Sequence, residues 1–247
     1  MPTDTIIKTE GVTRRFGAFT ALKNVSIEFE RGKLTSIIGP NGAGKSTYFN
    51  ILSGAFPPSE GRVVFQGKDL AGTRPHDFSH IGIAKSFQIT NVFPNFTALQ
   101  NAQIALQAKV SRYGLWRRRS ALQLEEPAHA LLRTVGIDRY ANRPARELAH
   151  GQQRALEIAI ALGSDPALLL LDEPTAGMSP EETKSMMDLI VDLAARRTVI
   201  LVEHKMKMIM GISDRIVVLH HGEYLAGGTP EDIRNNDEVK RVYLGQH

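Results

Sequence analysis

The chain of 247 residues contains no cysteine, which excludes disulfides, thiol nucleophiles and thiolate ligands and leaves any metal site to oxygen or histidine donors. It also has no long hydrophobic run. Nothing approaches the roughly 18 to 20 apolar residues that a membrane-spanning helix needs, and the start Met1-Pro-Thr-Asp-Thr5 carries no signal-peptide pattern. The expectation is a soluble, cytoplasmic chain. An excess of one charge is lacking too: 30 Lys and Arg against 26 Asp and Glu leave a formal +4, too little to point to a nucleic-acid partner. The densest basic cluster, Trp116-Arg-Arg-Arg119, reads as a solvated loop rather than a lipid-facing patch. Internal repeats, low-complexity tracts and long linkers are absent. With 42% hydrophobic residues, the chain can bury a substantial core as one large domain, with or without a subdomain.

What is present centres on Gly39-Pro-Asn-Gly-Ala-Gly-Lys45-Ser46, which satisfies the phosphate-loop spacing G-x-x-x-x-G-K-S. The strand-like run Leu34-Thr-Ser-Ile-Ile38 precedes it, and Thr47-Tyr-Phe-Asn-Ile-Leu52 follows at helical spacing. Glycines let such a loop turn its N–H groups inward around β- and γ-phosphates, where a Cβ would obstruct. Lys45 then supplies a point charge and Ser46 a hydroxyl for Mg²⁺.

Strand patterns also fall at Thr5–Thr9, Val25–Glu30 and Arg62–Phe65, so the first segment reads as sheet around a nucleotide. From about Thr97 to Gly163 the pattern turns helical: Ala128, Leu131, Leu132 and Val135 fall at i, i+3, i+4, i+7, with Gly136 as the stop. Continuous apolar runs return at Leu168–Leu171, Val199–Val202 and Ile216–Leu219, as strands covered on both faces require. Between them, Ser179-Pro180-Glu-Glu182 has the form of a helix start with a capping box, and Met186, Met187, Ile190, Leu193 and Ala194 form the buried stripe. The alternation implies an α/β sheet.

Two further segments carry chemistry. Leu168-Leu-Leu-Leu-Asp172-Glu173 ends a strand with adjacent acids that leave the backbone in different directions, so they suit different tasks. Asp172 fits a direct or water-mediated Mg²⁺ role facing the phosphate loop, and Glu173 can polarise the water that attacks the γ-phosphorus. Leu148-Ala-His-Gly151-Gln152-Gln153 precedes a helix with Ala155, Ile158, Ala159 and Leu162 on its apolar face. Free N–H groups at that helix start suit a γ-phosphate presented by another subunit, and Gly151 permits close approach.

In this order, the motifs resemble the nucleotide-binding subunit of an ATP-binding cassette transporter across essentially the whole chain. The resemblance implies a P-loop NTPase α/β fold with a mixed or parallel sheet core, an N-terminal antiparallel β subdomain and an inserted helical subdomain. The whole chain would be one nucleotide-binding domain, with residues 1–96 and 164–247 as the core and about 97–163 as the helical insertion. It implies ATP contacts at Gly39, Pro40, Asn41, Gly42, Ala43, Gly44, Lys45, Ser46 and Thr47, and at Gly151 and Gln152 from a second protomer. Phe16, before Gly17, would stack on adenine, Gln88 in Ser86-Phe-Gln88 would reach Mg²⁺ and water, and His204 in Val202-Glu-His204 would contact the γ-phosphate. Glu173, His204 and Gln88 are then the catalytic set; Ser46, Gln88 and Asp172 serve Mg²⁺.

Two departures stand out against the family's usual LSGGQ and SALD. Ala149 lacks the serine hydroxyl and His150 replaces a glycine, which removes a side-chain contact to phosphate while leaving the backbone N–H groups, and Ala176-Gly-Met-Ser179 alters the turn after the acids. The wording Leu171-Asp-Glu-Pro-Thr-Ala-Gly-Met-Ser-Pro-Glu-Glu182 and the tail Gly228-Thr-Pro-Glu-Asp-Ile-Arg-Asn-Asn236 look like the branched-chain amino-acid uptake branch, to which a urea or short-amide branch is related. The implied partners are integral membrane permease subunits, a second identical or paralogous ATP-binding subunit and, indirectly, a solute-binding protein, with the chain peripheral on the cytoplasmic face of the membrane. Two rival readings remain. A soluble cassette acting on ribosomes or DNA would usually show two cassettes or a long coiled-coil insertion, and a small-molecule kinase would not need Gly151-Gln152 or His204.

Overall fold

The structure, a computed structural model, describes residues 4–86, 92–110 and 124–244. Alternating and continuous apolar patterns sort its strands into two sheets. β1 (Thr5–Phe16) and β2 (Phe19–Glu30) form a hairpin, and β4 (Glu60–Phe65) and β5 (Lys68–Asp69) extend it to an antiparallel sheet of order β2-β1-β4-β5, with β3 (Leu34–Ile38) departing to the second sheet. β1 and β2 run well beyond the expected Thr5–Thr9 and Val25–Glu30. Register shifts between Thr9 and Val12, with Gly11 at φ +61°, bend β1 and break its apolar alternation, which hid the continuation.

The second sheet joins β3 with β6 (Ile83–Lys85), β7 (Leu168–Asp172), β8 (Thr198–Val202), β9 (Arg215–His220) and β10 (Glu223–Gly228), in the order β10-β9-β3-β8-β7-β6. All pairs are parallel except the edge pair β9 and β10. Every residue of β3, β7 and β8 is buried, because the sheet is covered on both faces. Leu168 and Leu170 point towards α1 (Lys45–Leu52) and the antiparallel sheet, while Leu169 and Leu171 point towards the helices on the other side. Alternation thus assigns each leucine to one of two cores.

The helical side comprises α3 (Ala98–Val110), α4 (Glu125–Thr134), α5 (His150–Leu162) and α6 (Pro180–Ala194); the short α2 (Phe78–Ile81), α7 (Met206–Ile212), α8 (Pro230–Asn235) and α9 (Asp237–Leu244) lie elsewhere along the chain. α4 ends at Thr134 and the chain turns at Gly136, φ +74°, where the sequence placed its stop. α6 opens on the expected capping box, with Glu182 N–H donating to Ser179 Oγ at 3.2 Å and Ser179 N–H to Glu182 Oε2 at 3.1 Å. Met186 and Met187 are buried in its core stripe.

α1 is pinned from the opposite sheet. The Tyr48 hydroxyl shares a buried 2.9 Å hydrogen bond with Thr9 Oγ1 of β1, which also accepts the Ile27 N–H of β2 at 3.0 Å. Tyr48→Phe should lower unfolding stability by about 1 kcal/mol and Tyr48→Ala by about 3–5 kcal/mol, read from urea midpoints. A phenylalanine variant as unstable as the alanine one would contradict the separation of hydroxyl from ring.

Candidate active site

In an open parallel sheet, the strand ends at the carboxyl edge leave a crevice for ligands. Here the neighbouring strands β3, β8 and β7 end there in Gly39, Glu203-His204 and Asp172-Glu173, respectively. One edge therefore gathers three of the motifs.

Gly39–Ser46 turns sharply from β3 into α1. A Cβ on Gly39 would lie 2.3 Å from the Leu219 carbonyl oxygen; one on Gly44, at φ +93°, would lie 2.8 Å from the Ala21 carbonyl oxygen of β2. Only glycine fits either place. The helix start that follows is bare: Gly44 offers no side-chain cap and the first turn holds no acid, so N–H groups of the loop and first turn are left for an incoming anion. Lys45 folds back over them, its Nζ donating to Gly39 O at 2.6 Å and Pro40 O at 3.0 Å. Burial lowers its pKa, while the charges of Glu173 and Asp172 oppose that shift. The cradle fits a phosphate chain.

Asp172 is 3% exposed at the end of β7. Burial raises its carboxyl above the usual range, Lys85 opposes this from 3.8 Å, and the Glu173 charge reinforces it. Lys85 on β6 also donates to Asn50 Oδ1 of α1 at 2.6 Å, and it has no counterpart among the residues singled out from sequence. β6 has only three residues, so nothing in its pattern announced the lysine. Glu173 sits at φ +45°, an uncommon conformation for a side-chain-bearing residue, and its N–H extends the ladder to Val202 O at 2.9 Å.

His204 is the second residue past the end of β8, its side chain 58% exposed with Nδ1 3.7 Å from Glu203 Oε2. Glu203 beside it is buried at 1% exposure and binds Thr175 and the His204 backbone, a role not foreseen from sequence. The only signal was an acid directly after a four-residue apolar run. Phe16 ends β1 at 45% exposure, edge-on to Phe56 with ring centroids 5.6 Å apart and with the Arg14 guanidinium 4.7 Å from its own ring centre. It is part-exposed, on the hairpin whose β2 strand touches Gly44. Gln88 and Trp116–Arg119 lie outside the described residues.

Ala149 caps α5 without a hydroxyl, so only half a capping box forms, with Gln152 Oε1 accepting the Ala149 N–H at 3.1 Å. The Gly151 N–H donates to Glu182 Oε1 at 3.2 Å, and the N–H groups of Ser179 and Gly151 hold that carboxyl below its ordinary pKa. His150 Nε2–H donates to the Ala176 carbonyl at 3.0 Å, so both departures from the common motifs meet in one contact. Among the described residues, no polar contact joins Ala149–Gln152 to the phosphate loop. The structure brings Lys45, Asp172, Glu173 and His204 to one edge and leaves the Gly151 segment apart.

Residues 22–176 match the family profile described as ABC transporter. The chain belongs to the ABC transporter family. Residues 225–247 of the cassette match a second profile, branched-chain amino acid ATP-binding cassette transporter. The cassette is 40% identical to the high-affinity branched-chain amino acid transport ATP-binding protein LivG of Salmonella typhimurium, with 98% of each chain covered. Among solved structures it resembles the ADP conformation of MJ1267, an ATP-binding cassette of an ABC transporter, with TM-score 0.85, 30% identity and 98% and 99% of the two chains covered. It also resembles the dimeric post-hydrolysis state of the cassette MJ0796 bound to ADP and Pi, with TM-score 0.78, 28% identity and coverage of 91% and 99%. The fold is that of a P-loop NTPase, and the protein is an ATP-binding, ATP-hydrolysing cassette.

A carboxyl whose pKa is raised by folding contributes stability below its unfolded pKa and loses it as pH rises through the folded value. Without nucleotide or Mg²⁺, Asp172→Asn should therefore unfold at the same urea concentration as the parent in acid and at a higher one near pH 7. A variant less stable than the parent at pH 7 would show that Asp172 is a net stabilising charge.

Proposed function

We propose that the cassette powers an importer of branched-chain or other hydrophobic amino acids, working in pairs on the cytoplasmic face of membrane-embedded permease subunits that a solute-binding protein supplies. The full-length similarity to LivG and the match of residues 225–247 support that branch over the urea and short-amide branch. Among the described residues, no helix is long and apolar enough to cross a membrane. The helical insertion, about 97–163, with the Gln88 region, is the surface for the permease subunits.

The observation that carries the mechanism is the half-built site: a bare helix start, Lys45, both acids and His204 share one edge, while among the described residues the Gly151 segment makes no polar contact with the phosphate loop and bonds instead to Glu182 and Ala176. A second protomer completes the pocket by bringing Gly151 and Gln152 to the γ-phosphate of the first, which requires the Gly151 N–H to leave Glu182. Loop N–H groups from Gly39 to Thr47 and the Lys45 ammonium hold the β- and γ-phosphates, and Phe16 offers its face to adenine. Ser46, Asp172 and, by resemblance, Gln88 would hold Mg²⁺, which would supply positive charge beside the phosphate oxygens. Glu173 orients the attacking water and accepts its proton, and His204 contacts the γ-phosphate. Loss of the bridging γ-phosphate opens the pair, and the permease follows because ATP has differential affinity for the closed state.

Glu173→Gln should keep ATP affinity and slow hydrolysis about 10²- to 10⁴-fold in single-turnover assays. Near-normal turnover removes Glu173 from the role of base. Lys45→Ala should weaken ATP binding itself, and Phe16→Ala should cost about 0.5–2 kcal/mol of it, both by calorimetric titration. Unchanged affinity in either variant returns that residue to a structural role. Co-purified with its permease subunits in vesicles holding the solute-binding protein, the cassette should show ATPase stimulated by leucine rather than urea; the reverse would move it to the related branch.

A further inference from the structure

The strand end that carries His204 also grips the turn that follows Glu173. Glu203 Oε1 accepts the Thr175 N–H at 3.2 Å and the Thr175 hydroxyl, while Oε2 accepts the His204 N–H at 3.1 Å. On the other side of His204, Lys205 Nζ donates to the Thr175 carbonyl at 3.3 Å and to Thr183 Oγ1 at 3.4 Å. All three polar groups of Thr175, a fully buried residue, are thus held by the two neighbours of His204. The same turn is tied to the acid, since the Ala176 N–H donates to Glu173 O at 3.1 Å, and to His150 through the Ala176 carbonyl.

Burying an acid is costly, and a well-packed apolar residue fills such a place at lower cost. What an apolar residue cannot do is accept hydrogen bonds from two chain segments at once. Glu203 spends one oxygen on each segment. The main-chain bond from Glu173 N–H to Val202 O joins the same two segments one step earlier, so the carboxylate continues the β7–β8 ladder past the point where the strands end.

We propose that Glu203 is a positioning residue for hydrolysis: by bridging the His204 backbone to Thr175 it fixes the histidine relative to Glu173, so that both reach the γ-phosphate as one rigid unit. The inference rests on the reading that His204 contacts that phosphate. Glu203→Gln keeps the shape but aims an NH₂ group at one of the N–H donors it must accept, which loosens one side of the bridge.

The test is a kinetic cycle on the full chain with Glu203→Gln, His204→Ala and the double variant, each checked for an unchanged thermal midpoint. Glu203→Gln should lower kcat for ATP hydrolysis about 10-fold with KM within about twofold, as expected for a loss felt in the transition state. In the His204→Ala background the same substitution should cost less than about twofold, because a residue acting through His204 has nothing left to position. Thr175→Val, which removes only the hydroxyl, should give a smaller loss that likewise vanishes in that background, and it keeps the test open should Glu203→Gln fail to fold. Wild-type kcat in Glu203→Gln, or losses that multiply with His204→Ala as a general packing defect would give, overturns the proposal. Wild-type turnover in His204→Ala alone overturns the assignment of His204 first and this inference with it.

Discussion

A helix that begins with no side chain to satisfy its first N–H groups is the constraint on which the rest of the structure depends. Gly44 cannot cap α1 and the first turn holds no acid, so those donors are left facing the crevice with a positive partial charge. The surrounding structure tolerates this through close packing: Gly39 and Gly44 sit against the Leu219 and Ala21 carbonyls, and Tyr48 pins the helix to β1. The remaining charges answer to the same point. Lys45 is half-buried over the loop, and Asp172 is held near it against its own desolvation. An anion satisfies those donors, and the phosphates of a nucleotide supply one.

The second organising fact is that the parallel strands end in register. β3, β8 and β7 are neighbours, so residues more than a hundred positions apart in sequence reach one edge without a long loop to carry them. The edge is then stiffened beyond the last strand pair, by Glu173 N–H to Val202 O and by Glu203 to Thr175. The turn after the acids is thus hydrogen-bonded to the neighbours of His204 on one side and, through His150 and Glu182, to the start of α5 on the other.

Much of this was legible in the sequence, for identifiable reasons. β7, β8 and β9 announce themselves because strands buried on both faces read as continuous apolar runs, and α6 because Ser179, Pro180 and Glu182 occupy the places that a capped start requires. The phosphate loop was readable as spacing. The extensions of β1 and β2 were not, since bulges break alternation, and β6 is too short to have any. Lys85 and Glu203 escaped because their significance lies in what folding brings beside them: a buried Asp172 in one case, the three polar groups of Thr175 in the other. His150 was readable as an odd residue in its motif, but its partner, the Ala176 carbonyl, belongs to a backbone that no pattern specifies.

The central claim is that each ATP lies between two protomers, with neither providing a whole site. Sedimentation velocity on the hydrolysis-blocked Glu173→Gln protein, with Mg²⁺ and either ATP, ADP or no nucleotide, tests it most directly. The account predicts twice the single-chain mass with ATP and the single-chain mass in the other two conditions. A single-chain mass at saturating ATP would contradict it.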